Sequence, residues 1–300
     1  MGKHNINKIH RSILKWYSDY GRDLPWRKAI ISPYDILVSE FMLQQTNVNR
    51  VLAIYPSFMN QFPTIDSLSN ASLSDVIKAW RGLGYNRRAV NLHRTANIIM
   101  DNYDGHIPHA SSKLIKMPGI GEYTAAAISN FAFKINIPVA DINIRRVLGR
   151  INDGPKPTDI KRGWELAEKY LTSSLNSSNW HQAIMDLGSA ICTSKKAKCS
   201  SCPVNNMCIS AYKLTQYQNP NLKTRDLKIE RFEGSTRYYR GKIINALRDS
   251  SIHIHINTII ETLEHDLIPI NDHALLKKII KQLEKDGLLE LNNQYISLPK

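Results

Sequence analysis

From Ile6 to Ile191 the apolar residues recur at helical spacing, and no stretch before residue 225 sustains strand alternation. That pattern predicts many short helices separated by Gly- and Pro-bearing turns, which excludes an α/β sheet for the larger part of the chain. The turn that constrains it most is Met117-Pro118-Gly119-Ile120-Gly121. Two glycines beside a proline form a tight connection, and the backbone N–H groups left at the start of the next helix can hold a phosphate. After that helix comes Asp141-Ile142-Asn143, an acid at the head of a segment carrying Arg145, Arg146 and Arg150.

Helices are expected at about 6–20, 33–46, 47–61, 73–81, 87–102, 111–116, 122–133, 142–151, 160–175 and 179–191. Glu40 interrupts the apolar residues Ile36, Leu37, Phe41 and Met42; on pattern alone it is either a solvent-face acid or a functional one. Gly82-Leu83-Gly84-Tyr85-Asn86-Arg87-Arg88 separates two helices. Its aromatic, amide and two cations suit a base and its phosphates, or equally a core tyrosine beside a wet helix start.

The formal charge of +14 is uneven: residues 1–224 carry net +13 and residues 225–300 only +1. A basic surface favours a polyanion such as nucleic acid. No apolar run is long enough for a membrane span, and the N-terminus lacks the apolar core of a secretion signal, so a cytoplasmic, reducing setting is expected.

All four cysteines fall in Cys192-x₆-Cys199-x₂-Cys202-x₅-Cys208, next to Lys195, Lys196 and Lys198. In a reducing compartment they predict a four-thiolate centre, and spacing alone leaves zinc and an iron–sulfur cluster both open. Beyond Asn219-Pro220-Asn221, read as a hinge, helices near 239–248, 257–263 and 275–285 lead to a hairpin at 287–298. This suggests a small α+β winged-helix-like domain; DNA contact, protein contact and simple packing are all open to it.

These residues resemble the helix-hairpin-helix (HhH-GPD) DNA glycosylases, on the branch of MutY adenine glycosylases and thymine/uracil mismatch glycosylases. The resemblance covers residues 7–212. Its markers are Leu24-Pro-Trp-Arg27, Ser39-Glu-Phe-Met-Leu-Gln-Gln-Thr46, Gly82-Leu-Gly-Tyr85, Met117-Pro-Gly-Ile-Gly-Glu-Tyr-Thr124, Asp141-x-Asn143 and Asp186-Leu-Gly188 before the cysteines. It implies an all-α, two-lobed catalytic region with DNA held across the cleft. The expected parts are a six-helix barrel at 28–136, an iron–sulfur domain of 1–27 plus 137–212, a linker at 213–224 and the C-terminal domain at 225–300.

The resemblance also assigns roles. Cys192, Cys199, Cys202 and Cys208 would hold a 4Fe–4S cluster that shapes a basic loop, with Lys195, Lys196 and Lys198 toward the DNA backbone. Gly119 and Gly121 would bind phosphate. Gln44 or Gln45 would enter the base stack, and Tyr85, Asn86, Arg87 and Arg88 would contact DNA. Trp26, Arg27, Leu43 and Gln182 would surround the flipped base. Asp141 would stabilise the oxocarbenium-like sugar and Glu40 would protonate the departing base, with Tyr123 and Asn143 orienting the Asp141 region. Related lyases carry a lysine where this chain has Tyr123, so a monofunctional hydrolase is expected.

The resemblance leaves two substrates open in double-stranded DNA: adenine opposite guanine or 8-oxoguanine, and thymine, uracil or another modified pyrimidine opposite guanine. Leu43-Gln44-Gln45-Thr46 and Trp180–Gly188 match MutY. Tyr85-Asn86 and Ile142 depart from it, as does a C-terminus in which no NUDIX-like domain is recognisable. A catalytically silent DNA-binding protein is the remaining alternative.

Overall fold

A computed structural model describes residues 3–28, 30–172, 176–214, 232–250, 253–264 and 273–300. The larger part is helical throughout: α1 (Lys3–Tyr20), α2 (Pro33–Leu43), α3 (Val48–Gln61), α4 (Ile65–Ser69), α5 (Leu73–Ala79), α6 (Arg87–Tyr103), α7 (Ser111–Leu114), α8 (Glu122–Phe133), α9 (Ile142–Asn152), α10 (Ile160–Lys169) and α11 (Ser177–Ala190). The C-terminal region adds α12 (Thr236–Asp249), β1 (Ile254–His255), α13 (Ile256–Glu264), α14 (His273–Lys285), β2 (Glu290–Asn292) and β3 (Tyr295–Ser297). Its strands form an antiparallel sheet in the order β1-β3-β2. Three helices and a three-stranded sheet ending in a hairpin are the winged-helix arrangement expected there. Most of the expected linker and hinge lies outside the described residues.

By contacts the chain divides into two compact units. The first is Met1–Ile36, His109–Lys116 and Ile120–Arg225; the second is Leu37–Pro108, Met117–Gly119 and Asp226–Lys300. These boundaries differ from the sequence-based ones: 28–36, 109–116 and 120–136, expected in the barrel, go with the first unit, and 226–300, expected as a domain of its own, goes with the second. Residues 120–136 go with the first unit because α8 is buried on nearly all sides, from Thr124 to Phe131, and Asn130 donates to Ser177 Oγ of α11 at 2.8 Å. Residues 226–300 go with the second because α12 is joined to α5 and α6 by Arg248, described below.

In the first unit, α1 packs on α11, and α9 on both α10 and α11. Ile9, Ile13, Ile144, Leu148, Leu166 and Ile184 are fully buried there, which accounts for the helical spacing of these residues. In the second unit Phe58, Phe62 and Trp80 meet edge to face. No helix among the described residues is long and apolar enough to cross a membrane.

Helix ends differ modestly from expectation. α2 stops at Leu43 because Gln45 adopts a left-handed backbone, φ +54°, and α10 stops at Lys169. The five-residue α4, with its Thr64–Ser67 capping box, is too short to announce itself by periodicity.

Candidate active site and DNA interface

In the first unit Asp141 is the N-cap of α9. Its Oδ1 accepts the Ile144 N–H at 2.6 Å and its Oδ2 accepts Asn143 Nδ2 at 2.7 Å. Asn143 Oδ1 in turn accepts from Arg146 Nη2 at 2.8 Å, and that nitrogen also reaches Gly188 O at 2.8 Å. Gly188 belongs here because a Cβ would stand 2.8 Å from Asn143 Cβ, too close for α9 and α11 to pack as they do. Burial pushes the half-buried Asp141 carboxyl above the usual range, while the Ile144 and Asn143 donors and the Arg146 charge favour its ionised form. Tyr123, on the first turn of α8, is half-buried.

The strand-like approach to Asp141 is held from α11. Val139 N–H donates to His181 Nε2 at 3.2 Å, and His181 Nδ1 faces Asn130 Oδ1 at 3.4 Å. An accepting Nε2 puts the proton on Nδ1. Burial pushes the ring down to about 4, so it stays neutral at neutral pH.

A second buried acid on α11, Asp186, takes a bidentate contact from Arg27, Nη1 at 2.8 Å and Nη2 at 3.1 Å, together with Arg22 Nε at 2.7 Å and Arg22 N–H at 2.9 Å. Burial alone would raise this carboxyl, but Arg27 and then Arg22 outweigh it and leave it below the ordinary carboxylate range. Arg27, expected beside the flipped base, therefore has its guanidinium committed to Asp186. Trp26 is buried next to it, and Gln182 Oε1 accepts from Tyr17 at 2.9 Å. Asp186, Arg22 and His181 had no assigned roles in the sequence. Asp186-Leu-Gly188 was visible only as a family marker.

In the second unit Glu40 is buried, flanked by the fully buried Ser39 and Phe41, so the solvent-face reading of it does not hold. Leu43 is half-buried and Gln45 exposed. Gln44 Nε2 donates to Gly119 O at 3.1 Å, and Thr95 Oγ1 to Pro118 O at 3.1 Å, which fixes this side of the Pro-Gly turn. Gly119 has φ +77°, and a Cβ there would lie 2.8 Å from Asn91 Nδ2 and 3.0 Å from Phe41, so only glycine fits. Two residues on, Gly121 caps α8 without a side chain and is exposed.

The Tyr85–Arg88 run divides. Tyr85 is 47% exposed at a left-handed φ of +45°, and Arg87 is exposed. Arg88 is buried. Its Nη1 donates to Phe41 O at 2.9 Å, Met42 O at 2.7 Å and Gln44 O at 2.6 Å, and its Nη2 to Thr46 Oγ1 at 2.8 Å, Leu83 O at 3.2 Å and Gly84 O at 3.0 Å. This corrects its expected role as a DNA contact: its donors join the end of α2 to the Gly82–Tyr85 turn inside the protein.

The four thiols line one pocket in the first unit with Arg150, Ala197, Asn205 and Leu214. Arg150 Nη1 lies 3.3 Å from Cys192 Sγ and donates to Thr193 O at 2.7 Å; Arg146 Nε donates to Cys192 O at 2.8 Å. Burial, with the neighbouring sulfurs adding to it, pushes Cys202 up to about 11 and Cys208 upward. Four such sulfurs ionise together only around a multivalent cation, so the donor set fits a thiolate-bound metal centre. Among the described residues no three His, Cys, Asp or Glu side chains converge closely enough to define the position of a single metal ion. Lys195, Lys196 and Lys198 are exposed on the adjoining loop.

The description "HhH-GPD superfamily base excision DNA repair protein" matches residues 38–169. The adenine DNA glycosylase of Mycolicibacterium smegmatis is 34% identical over 279 residues, 93% of this chain and 91% of that protein. The human adenine DNA glycosylase is 37% identical over 225 residues, covering 71% of this chain and 41% of its own length. Among solved structures, a thermostable thymine-DNA glycosylase aligns with a TM-score of 0.64 at 28% identity over 70% of this chain and 98% of its own. A trapped endonuclease III–DNA covalent intermediate aligns with a TM-score of 0.62 at 20% identity over 72% of this chain and 99% of its own, a likeness of fold. The chain belongs to the helix-hairpin-helix base-excision DNA glycosylases, on the branch that includes the adenine DNA glycosylases.

Proposed function

We propose that this protein is a monofunctional DNA glycosylase that releases adenine opposite guanine or 8-oxoguanine in duplex DNA. The observation that carries base release is the Asp141 carboxylate, with both oxygens held at the head of α9. Relatives that extend over nine tenths of the chain support adenine as the base.

The target nucleotide must leave the stack to be reached. Glu40, in protonated form, gives its proton to adenine N7 as the N-glycosidic bond lengthens, and the electron pair of that bond leaves with the base. Asp141 meets the positive charge that develops on the sugar, and water then completes hydrolysis at C1′, leaving an abasic site. Asn143 orients Asp141, with Arg146 fixing Asn143 from behind. Tyr123 supplies no amine, so no Schiff base forms at that position. Gly119 and Gly121 grip phosphate, Gln45 enters the space beside the everted base, and Lys195, Lys196 and Lys198 face the backbone. Cys192, Cys199, Cys202 and Cys208 would hold a 4Fe–4S cluster, which when bound supplies a rigid support for the lysine loop. A cytoplasmic setting keeps these thiols reduced.

Purified protein is incubated with duplexes carrying A·8-oxoG, A·G, T·G or U·G, with and without alkali. Alkali-dependent scission at adenine is expected, and none without alkali. Scission confined to T·G or U·G would overturn adenine as substrate, and scission without alkali would overturn the monofunctional assignment. Visible absorption that bleaches on reduction distinguishes the redox-active iron–sulfur cluster from d¹⁰ zinc.

A further inference from the structure

The C-terminal winged-helix region is built onto the Gly82–Arg88 turn rather than tethered beside it. Arg248 of α12 is buried, donating from Nε to Ile77 O at 3.0 Å and from Nη2 to Asn86 Oδ1 at 3.1 Å. Asp286, buried at the end of α14, accepts from Arg240 Nη2 at 2.6 Å and pairs with Arg87 Nη1 at 3.4 Å. Arg81 pairs with Asp249. At the solvent-facing end of this seam Arg237 Nη1 donates to the Tyr85 hydroxyl at 3.2 Å.

The consequence is an exposed aromatic ring pinned by its hydroxyl and flanked by cations. Asp286 and Asp249 are taken by Arg87, Arg240 and Arg81, and no carboxylate among the described residues pairs with the exposed Arg237. A pinned ring offers a flat face to a base, and an unneutralised guanidinium beside it suits a phosphate oxygen. An acidic protein surface would satisfy the cations but would have no use for the open ring. A nucleic acid uses both.

We propose that α12 extends the DNA-contacting surface of the enzyme, with Arg237 both holding Tyr85 in place and contacting a backbone phosphate of the duplex. This rests on the reading of duplex DNA as the substrate. It makes the winged-helix region part of substrate binding through the N-terminal end of α12, not through the outer face of α14, where Lys277, Lys278 and Lys281 are exposed.

The test measures duplex binding by fluorescence anisotropy over a range of salt concentrations, using the full chain carrying D141N so that DNA is not turned over. Adding Arg237→Gln is expected to weaken binding several-fold to damaged and undamaged duplex alike. It should also lower the slope of log affinity against log salt by about 0.9, the effect of one lost phosphate contact. Arg237→Lys should keep most of the slope. An unchanged slope in Arg237→Gln overturns the proposal, as does a slope lost only in the Lys278→Gln, Lys281→Gln pair. If the D141N parent itself fails to bind duplex, the glycosylase reading falls as well; if it binds and Arg237→Gln matches it, only this inference falls.

Discussion

The Val139 amide donates to His181 Nε2 across 3.2 Å, two residues before the acid that caps α9. That bond exists only while the ring is neutral. Because burial pushes His181 down to about 4 in the folded protein against an ordinary 6.5, protons bind the unfolded chain more readily. Stability is therefore full above pH 6.5 and falls as pH drops from there toward 4, by about 3 kcal/mol at most. Burial lowers His10 and His93 as well, so the wild type carries several contributions of the same sign. His181→Gln should reduce the slope of urea-derived stability in this window by about one proton, roughly 1.4 kcal/mol per pH unit. Identical slopes in the two proteins would discard the neutral-ring account.

Asp186 carries the same sign as His181 in a more acidic window. Its carboxyl is held low by Arg27 and Arg22 against the effect of burial, so its contribution is present above the ordinary carboxylate value and lost as pH falls below it. Asp186→Asn strands the Arg27 guanidinium, whose side chain is only 9% exposed, and should cost about 3 to 5 kcal/mol at neutral pH by chemical denaturation. Adding Arg27→Met should recover part of the loss. Additive losses in the double variant would mean that the two residues act separately.

Arg88 gives a third prediction. A lysine keeps the charge but cannot serve six acceptors set on both sides of a planar fork. Arg88→Lys should therefore lose at least about 2 kcal/mol of stability, since several buried carbonyls are left without donors. Wild-type stability in Arg88→Lys would restore the reading of Arg88 as a surface contact.

The residues that the sequence announced best are those whose partners are local. Asp141 caps its own helix three residues on, the Pro118–Gly121 turn carries its own φ requirements, and the winged-helix hairpin turns at Asn293-Gln294, where Asn293 takes a left-handed φ of +58°. Where partners are distant, the sequence is silent. Arg88 reads as a wet cation until Phe41, Met42 and Gln44 carbonyls are brought to it from α2. Arg27 reads as a residue beside the flipped base until Asp186 arrives from α11. A charged side chain's role depends on whether its counter-group lies in solvent or in another element, and periodicity holds no record of that.

The Asp141 carboxyl joins stability to chemistry in one group. Burial raises it, so the folded state favours the protonated form, and stability declines as pH rises from 3.8 through the folded value. Asparagine carries no such cost and remains a good N-cap through its own oxygen. Asp141→Asn should therefore be at least as stable as the wild type at pH 7, with the advantage vanishing in acid, while base release falls by about a hundredfold or more. Asn143→Ala removes a donor that favours the ionised form, so the acidic limb of its pH–rate profile should move to higher pH than in the wild type. Single-turnover rates across pH, with thermal unfolding measured alongside, check both. An Asp141→Asn protein that unfolds at neutral pH, or an Asn143→Ala limb that stays where it was, would mean that this acid serves the fold of α9 and not the sugar of the substrate.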